Sequence, residues 1–380
     1  MPALPFPLLR HLAAIFTSAF VIGAQAAEIV VAQVAPFTGG VAVYSNQLKL
    51  GASVLFDAVN ASGGINGAKI RLVARDDRLD SGTTLALFDE TARVDRPVAF
   101  LFPVGPLGIA ALVEKAVPQR LGIPIVGTVP AMYRLRTPIN PFVFHVGLGD
   151  DAELAKIVQH IATVGIRRIG VIHWNEPSAL EAISLIEREA RASRVAVVMK
   201  GPVEPGTDKV GPALAEVNRS HPEALIAILP VHATGALVKG LREANNATPV
   251  YGPSYTESSL LAQVAGEGRA RGVGVSQVVP NPFGGSIPLV REYQQHMRRH
   301  APPGTRLSTL SLQGYIAAKI VCEGLRRTGG AASPSRLRDA LETLTSFDLG
   351  GIVVRYGPQQ HVGLNFLDIG VVSADGRLLY

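Results

Sequence analysis

The sequence predicts an α/β protein of two lobes, each built around a parallel sheet. Two observations lead to this prediction: buried strand patterns alternate with amphipathic helix patterns, and the alternation stops and restarts near residue 140. Strands and helices that alternate at these lengths imply parallel pairing through right-handed crossovers. The roughly 350 residues that follow the N-terminal segment are enough to build two domains with hydrophobic cores.

The N-terminal segment, residues 1–27, differs from the rest of the chain. Arg10 and His11 precede the apolar run LAAIFTSAFVIGA, and AQAAE follows. A basic start, a short apolar core and small residues predict a secretory signal peptide, cleaved after Ala26 or Ala27. The run is short for a membrane span, and no cysteine near the cleavage site supports a lipid anchor. We therefore expect export to the periplasm.

The charge pattern argues against a nucleic-acid-binding protein, and the cysteine content argues against a disulfide-stabilised one. The formal net charge is +6, but the basic residues are scattered, and no Lys/Arg run is interleaved with aromatic residues. This pattern argues against nucleic-acid binding. Cys322 is the single cysteine, so an exported form has no internal disulfide. Stability must then come from core burial.

The first block of elements begins with the strand pattern EIVVAQVA. A helix pattern follows in SNQLKLGASVLFDAVNAS, where Leu48, Ala52, Leu55 and Val59 recur at helical spacing. The remaining patterns in this block are the strand AKIRLVARDD, the helix SGTTLALFDETARV, the strand VAFLF, the helix GIAALVEKAVPQRL and the strand IPIVG.

The second block starts at NPFVFHV. It continues as the helix DDAELAKIVQHIATV, the strand RIGVIHW, the helix ALEAISLIEREARA, the strand VAVVMK, the helix GPALAEVNRS, the strand ALIAIL and the helix TGALVKGLREAN. A helical third block, PLVREYQQHMRR and STLSLQGYIAAKIVCEGLRRT, precedes a strand-rich tail.

The stretch ASGGINGAKIRLVARDD, residues 61–77, predicts a sharp turn between a helix and a strand. Gly63–Gly64 suit a left-handed helix cap, and Asn66–Gly67 form a tight-turn dipeptide. Asp76–Asp77 are adjacent on a strand and point to opposite faces, so they are poorly placed for acid–base chemistry on one bond. We expect them to be structural. Asp80 or Ser81 is expected to cap the next helix.

The segment VNASGGINGAKIRLVARDD resembles the second-strand signature of the type I periplasmic binding proteins, in particular the leucine/isoleucine/valine-binding group that serves ABC importers. The resemblance continues through LGIPIVGT, NPFVFHV, SQVVPNPFGGSIPLVREYQ, SLQGYIAAKIVCEGLRR and FDLGG, and covers nearly all of residues 28–380. It implies two Rossmann-like lobes that are joined by a three-segment hinge and close on a small solute. It also implies a binding protein rather than an enzyme.

The resemblance implies the lobe boundaries as well. The N-terminal lobe is expected to comprise residues 28–147 plus 280–350, and the C-terminal lobe residues 148–279 plus 351–380. The crossings between them are then expected near Val146, Val279 and Gly350.

Ligand contacts in the first lobe are expected from three loops. Tyr44 aligns with a family tyrosine that lines the cleft. The loop PVGPLG, residues 103–108, lacks the Ser or Thr hydroxyls that the family usually carries, so the backbone at Gly105, Leu107 and Gly108 is expected to supply the donors at a helix start. In the loop GTVPAMY, Thr128 is expected to replace a family threonine that is absent at position 130, with Val129 beside it.

Ligand contacts in the second lobe are expected from three further loops. Trp174 is a candidate to replace the aromatic that the family often has at Ser178, although interlobe packing is an equal alternative. His232 follows a strand, but a lone histidine is more often structural. Ser254 stands where leucine-type binders tend to place a carboxylate for the ligand ammonium. Two further candidates in this last loop are Tyr255 and Glu257.

The replacement at Ser254 predicts a ligand preference. A serine hydroxyl cannot neutralise an ammonium group, and a buried, poorly paired charge is costly. Ordinary aliphatic amino acids are therefore expected to bind weakly, and an acid that lacks the ammonium is expected to bind better. Glu257 would reverse this preference if its side chain turned into the cleft.

No motif for catalysis or cofactor binding is found. The sequence lacks G-x-G-x-x-G, GK[ST], G-x-S-x-G and H-E-x-x-H patterns. His296 and His300 have helical i,i+4 spacing but no evident third ligand, so no metal site and no cofactor are expected.

The expected function is that of a periplasmic substrate-binding protein of an ABC importer, which captures a small carboxylate-bearing solute in the interlobe cleft. The candidates are branched-chain or other amino acids and organic or aromatic acids. Its expected partners are the permease and ATPase subunits at the inner membrane, and the protein is expected to be monomeric. A ligand-sensing receptor on the same fold is the alternative.

Overall fold

The computed structural model describes Met1, residues 28–130 and residues 132–380. The predicted signal peptide, apart from Met1, lies outside the described residues. Within the described part of the chain, no helix is both long enough and apolar enough to cross a membrane.

The first part of the chain alternates strands and helices. Its elements are β1 (Glu28–Ala35), α1 (Ala42–Ala61), β2 (Lys69–Asp76), α2 (Ser81–Val94), β3 (Ala99–Leu101), α3 (Pro106–Glu114), α4 (Val117–Leu121), β4 (Ile125–Val126) and β5 (Val143–Phe144). The strands pair in the order β2-β1-β3-β4-β5, and every pair is parallel. The predicted parallel sheet of the first lobe is thereby confirmed.

The second part repeats the pattern. Its elements are α5 (Asp150–Thr163), β6 (Arg168–Trp174), α6 (Pro177–Ala192), β7 (Ala196–Val203), α7 (Gly211–Ser220), β8 (Ala224–Ile228), α8 (Val231–Glu243), β9 (Val250–Gly252), α9 (Ser258–Ala265) and β10 (Gly274–Gln277). The remaining elements are α10 (Pro288–His300), α11 (Thr309–Arg327), α12 (Pro334–Glu342), β11 (Phe347–Asp348), β12 (Val353–Val354), β13 (Asp368–Val372) and β14 (Leu378–Leu379).

The second sheet has the order β14-β13-β10-β9-β8-β6-β7. Strands β10, β9, β8, β6 and β7 pair in parallel, and the tail adds the antiparallel strands β13 and β14. The C-terminal strands β13 and β14 therefore belong to the second lobe, so this lobe is built from two separate parts of the chain.

One predicted helix differs from the structure. The pattern GIAALVEKAVPQRL forms two helices, α3 and α4, because Ala116 adopts a left-handed conformation with φ 48° between them. Pro118 is the local cause of the break, because within one continuous helix its ring would clash with the carbonyl of residue 114 and it has no N–H to donate, whereas proline fits the first turn of a new helix. Pro106 begins α3 in the same way, two residues before the predicted start.

The turn at residues 61–77 folds as the sequence predicts. Gly63 and Gly64 have φ of 102° and 81° after α1. Asp76 accepts hydrogen bonds from the amide of Phe37 (2.8 Å) and the hydroxyl of Thr38 (2.7 Å). This carboxylate therefore ties β2 to the loop after β1.

The second carboxylate of the pair is also structural. Asp77 accepts from the Leu79 amide (3.0 Å) and the Thr84 hydroxyl (2.8 Å). Asp80, rather than Ser81, caps α2 by accepting from the Thr83 amide (2.7 Å). The predicted structural role of the pair is confirmed.

Two crossing segments between the lobes run side by side. The amide of His145 donates to the His361 carbonyl (2.7 Å), and the amide of Leu364 donates to the Val146 carbonyl (2.8 Å). Gly350 instead accepts from the amide of Leu289 in α10 (2.9 Å). We therefore propose that the third crossing lies at residues 361–367, just before β13, rather than near Gly350.

Candidate functional site

A cavity of about 320 Å³ lies between the two sheets, where the carboxyl ends of their parallel strands face each other. Open α/β sheets bind ligands at this edge. The lining residues are Val41, Tyr44, Leu79, Val104, Gly105, Pro106, Leu107, Gly108, Val129, Pro130, Asp150, Trp174, Glu176, Ser178, Ala182, Pro205, Gly206, Ile228, Leu229, Pro230 and Tyr255. Most of them are apolar, and they come from both lobes.

The structure brings most of the predicted ligand residues together. Those that line the cavity are Tyr44, Gly105, Leu107, Gly108, Val129, Trp174, Ser178 and Tyr255. The Gly105 amide donates to the Val129 carbonyl (2.9 Å), so it is not available to a ligand. The amides of Leu107 and Gly108 lie in the first turn of α3, where helix donors have no intrahelical partner.

Thr128 and Ser254 line a small adjoining recess rather than the main cavity. The Thr128 hydroxyl is buried and has no hydrogen-bond partner. The Ser254 amide and hydroxyl both donate to the carboxylate of Glu153, at 2.7 Å and 3.0 Å. Ser254 therefore contacts the buried side chain of Glu153, a residue of α5.

Two predicted residues do not line the cavity. His232 is exposed in the first turn of α8. Glu257 caps α9, where its carboxylate accepts from the Leu260 amide (2.8 Å) and the Ser259 hydroxyl (2.7 Å). The helix begins one residue after Glu257, so its side chain satisfies the helix start and faces a separate groove beside α1.

Asp150 is a charged residue of the cavity wall that sequence reasoning missed. It is the first residue of α5, and its Oδ1 is enclosed in the cavity wall without a hydrogen-bond partner. Burial, and next the Glu153 carboxylate, raise the pKa of Asp150 to about 7, although Arg136 opposes this. Its only sequence signal was the pair Asp150–Asp151. Such a pair is typical of any helix start, because negative side chains interact favourably with the positive N-terminal end of the helix dipole.

Glu176 is a second carboxylate in the cavity wall. It follows β6 and precedes the first residue of α6, and its Oε1 accepts from the Ser178 hydroxyl at 2.7 Å. Ser178 therefore positions this acid instead of presenting a free hydroxyl.

The buried Glu153 and the partly buried Arg136 form a charged layer behind the cavity. The Arg136 guanidinium donates to the carbonyls of Gly147 (2.9 Å) and Leu148 (3.4 Å), in the first crossing segment. Glu153 is 1% exposed, and it also accepts from the Ser276 hydroxyl. Burial raises the pKa of Glu153, while the hydrogen bonds from the serines oppose that rise.

Three aromatic side chains enclose the cavity. Trp174 has a buried indole N–H with no hydrogen-bond partner. The Tyr44 hydroxyl accepts from the Val231 amide at 2.8 Å, and this bond links α1 of the first lobe to α8 of the second. Burial raises the pKa of both Tyr44 and Tyr255.

The hydrogen bond between Tyr44 and Val231 leads to a test of the contact between the two lobes. Tyr44→Phe keeps the ring but leaves the buried Val231 amide without a partner, which costs about 1–3 kcal/mol. We expect lower stability towards urea and ligand affinity weaker by roughly tenfold, measured by urea unfolding and calorimetry. Tyr133→Phe, which changes an exposed tyrosine, is the control and should alter neither. Unchanged stability of Tyr44→Phe would contradict the bond.

No group of three or more metal-binding side chains is found in the part of the chain that the structure describes. The cavity combines apolar side chains from both lobes with two carboxylates of the second lobe, Asp150 and Glu176.

Comparisons with known proteins identify relatives of the chain. A family model described as periplasmic binding protein matches residues 28–377. A substrate-binding periplasmic protein from Ralstonia solanacearum is 31% identical, with a TM-score of 0.88 over 92% of this chain and 99% of that chain. An extracellular ligand-binding receptor from Verminephrobacter eiseniae is 26% identical, with a TM-score of 0.88 over 93% of this chain and 100% of that chain.

A shorter match connects the chain to an amino acid binding protein from Pseudomonas aeruginosa. The two are 36% identical over 73 residues, which is 19% of this chain and 20% of that protein. The match thus spans about a fifth of the relative's length.

Proposed function

The chain belongs to the periplasmic binding protein family, and from this membership we propose that it is the solute-binding component of an ABC importer. We propose further that its interlobe cavity captures a small solute with an apolar body and an ammonium group. The proteins of this family bind substrates without converting them, so the chain is a binding protein and not an enzyme. The proposed setting is the periplasm, with the permease and ATPase as partners.

The observation that carries the proposal is the enclosed, unpartnered Oδ1 of Asp150 in a mainly apolar cavity. A carboxylate that is removed from water without a partner is costly, and a cation in contact with it recovers much of that cost. A ligand ammonium is such a cation. The apolar walls formed by residues such as Val104, Ile228 and Leu229 suit an aliphatic or aromatic body.

The sequence analysis expects a ligand with a carboxylate group, and the cavity also offers hydrogen-bond donors for such a group. Leu107 and Gly108, in the first turn of α3, line the cavity, and a helix N-terminus favours an anion. Further donors are the Trp174 indole N–H and, in the adjoining recess, the Thr128 hydroxyl. An amino acid with an apolar side chain is therefore the leading candidate, which agrees with the name of the Pseudomonas relative.

The predicted preference for an acid without an ammonium group is revised by this geometry. That preference assumed that no acceptor replaces the carboxylate missing at Ser254. Asp150, one turn before Glu153 on α5, supplies this acceptor, while Glu257 does not line the cavity.

The test compares leucine with 4-methylpentanoate, which lacks only the amino group. We expect leucine to bind at least tenfold more tightly at pH 8, because its ammonium meets Asp150 and the acid brings only negative charge. Titration calorimetry on one preparation measures both. Equal or tighter binding of 4-methylpentanoate would contradict the ammonium site.

A further inference from the structure

We propose that the groove between α1 and α9 is a second binding site, which takes a polar zwitterion with its ammonium group at Glu257 and its carboxylate at Arg306. The groove has a volume of about 750 Å³, and among the described residues none lines both the groove and the interlobe cavity. The site therefore goes beyond the proposed function, because it leaves the cavity free. An amino acid or a short peptide carries both charged groups, and the larger volume of the groove favours the peptide.

Both lobes contribute walls to this groove. Its lining comes from α1 of the first lobe, from the loop between α10 and α11, and from α9 of the second lobe with its N-cap. The Ser308 hydroxyl, at the end of the loop, donates to the side-chain oxygen of Gln47 in α1 (3.0 Å) and so holds the loop against that helix. A ligand in the groove thus contacts both lobes.

Glu257 is the acid of the groove that is removed from water, since it is only 3% exposed. One carboxylate oxygen, Oε2, accepts from the Leu260 amide (2.8 Å) and the Ser259 hydroxyl (2.7 Å). The other oxygen, Oε1, is enclosed and has no hydrogen-bond partner among the described residues. The cap of α9 therefore uses only one of the two oxygens.

No protein cation balances this carboxylate in the part of the chain that the structure describes. A buried carboxylate without a partner is costly, and a ligand ammonium in contact with Oε1 recovers much of that cost. Burial raises the pKa of Glu257, while the hydrogen bonds from Leu260 and Ser259 oppose the rise. A bound ammonium favours the ionised form further, and the site requires no second ionised acid.

The groove also offers groups for the carboxylate of the ligand. Arg306 is exposed and, among the described residues, has no ion-pair partner, and a guanidinium binds a carboxylate through two parallel hydrogen bonds. Lys49 adds positive charge, with its Nζ 4.9 Å from the centre of the Phe37 ring. The exposed Asp57 and the half-buried His300 complete the titratable lining. Apart from Glu257, the lining therefore has two cations and one acid, which suits an anionic group.

Uncharged polar side chains between these ends suit a peptide backbone. Asn46, Ser53, Gln263 and Thr305 line the groove, and their amide and hydroxyl groups both donate and accept hydrogen bonds. The interlobe cavity is mainly apolar, so a peptide without apolar side chains is expected to prefer the groove. Triglycine is such a peptide and serves as the probe.

The experiment titrates triglycine into leucine-saturated protein by calorimetry at pH 7, below the pKa of about 7.7–8.0 of an α-amino group. We expect saturable binding in the millimolar range. N-acetyltriglycine lacks the ammonium and triglycinamide lacks the carboxylate, so each should bind at least about tenfold more weakly. Glycine tests the amino acid as ligand, and binding as tight as that of triglycine would overturn the peptide assignment.

Three other results would overturn the site itself. They are absence of triglycine binding in the millimolar range, equal affinity for N-acetyltriglycine, and loss of triglycine binding when leucine occupies the cavity. The last result would place triglycine in the cavity. If leucine does not bind, the proposed function fails, and titration of triglycine into the ligand-free protein still tests the groove.

Two variants isolate the two ends of the site. In Glu257→Gln a side-chain oxygen remains to cap α9 but the charge is lost, so triglycine affinity should fall at least about tenfold. Arg306→Gln changes an exposed side chain and should weaken binding of triglycine but not of triglycinamide. Glu267→Gln changes an exposed acid that does not line the groove and is the matched control. Unchanged triglycine affinity in either of the first two variants would contradict the site.

Discussion

Asp150→Asn is expected to weaken the binding of leucine, and of 3-methylbutylamine, which is leucine without its carboxylate, by about 100-fold. The amide has the shape of the acid but cannot neutralise an ammonium, and a charge-assisted hydrogen bond contributes about 1.5–3 kcal/mol, where each 1.4 kcal/mol is tenfold in affinity. Calorimetry at pH 8 measures the loss. A loss below threefold for both ligands would contradict the assignment of Asp150.

The same change is expected to stabilise the ligand-free protein. Because burial raises the pKa of Asp150 to about 7, the folded state holds this proton more tightly than the unfolded chain. The stability from that proton is complete below the ordinary carboxyl pKa and is lost as pH rises through about 7. Above pH 7 the ionised Asp150 costs a few kcal/mol, because each pKa unit corresponds to about 1.4 kcal/mol, and Asp150→Asn removes this cost.

The measurement is urea unfolding of ligand-free protein at pH 5 and pH 8, together with ligand affinity over the same range. Affinity of the unchanged protein should rise with pH to a plateau above about 7, and this rise should be absent in Asp150→Asn. The titratable or charged groups that act on Asp150 are Arg136, Asp151, Glu153, Glu181 and Tyr255. Glu267→Gln, which changes an exposed acid outside the cavity lining that is not among these groups, is the control, and it should preserve both affinity and the pH profile.

Gly314→Ala is expected to cost roughly 3 kcal/mol or more of stability. A Cβ at Gly314 in α11 would overlap the Leu48 carbonyl oxygen of α1, and one at Gly51 in α1 would overlap the Ser311 carbonyl oxygen of α11. The two helices thus touch through backbone atoms at both glycines. An added methyl group must push them apart, and overpacking of this kind is among the mechanisms of severe destabilisation.

Urea unfolding compares this variant with Gly211→Ala. Gly211 begins α7, and a Cβ there meets no atom within 4 Å, so the control should leave stability unchanged or slightly increased. Equal stability of the two variants would mean that α1 and α11 are not in backbone contact.

The parts of the fold that the sequence predicts correctly are those with local causes. Strand β1 and helix α11 have strong hydrophobic periodicity, and the turn at Gly63–Gly64 depends on glycine conformations within a few residues. The break between α3 and α4 also has a local cause, Pro118. This proline is visible in the sequence, but the sequence analysis predicted one continuous helix across it. Helix α12 was missed because its nine residues carry few apolar positions.

The site was predicted less completely because its geometry depends on long-range contacts. Tyr44 and Trp174 line the cavity, as the family resemblance implied. Asp150 was missed because an acid at a helix start has the same sequence pattern whether it faces solvent or a cavity. Glu257 was misplaced because the exact helix start, which sequence patterns define poorly, decides whether its carboxylate caps α9 or enters the cleft.

A crystal structure of the protein with bound 3-methylbutylamine or leucine tests the ammonium site most directly. We predict that the ligand lies in the interlobe cavity with its nitrogen about 2.7–3.2 Å from Oδ1 of Asp150 and its apolar end towards Leu79 and Leu107. A ligand bound outside this cavity, or bound inside it with its nitrogen directed away from Asp150, would contradict the site.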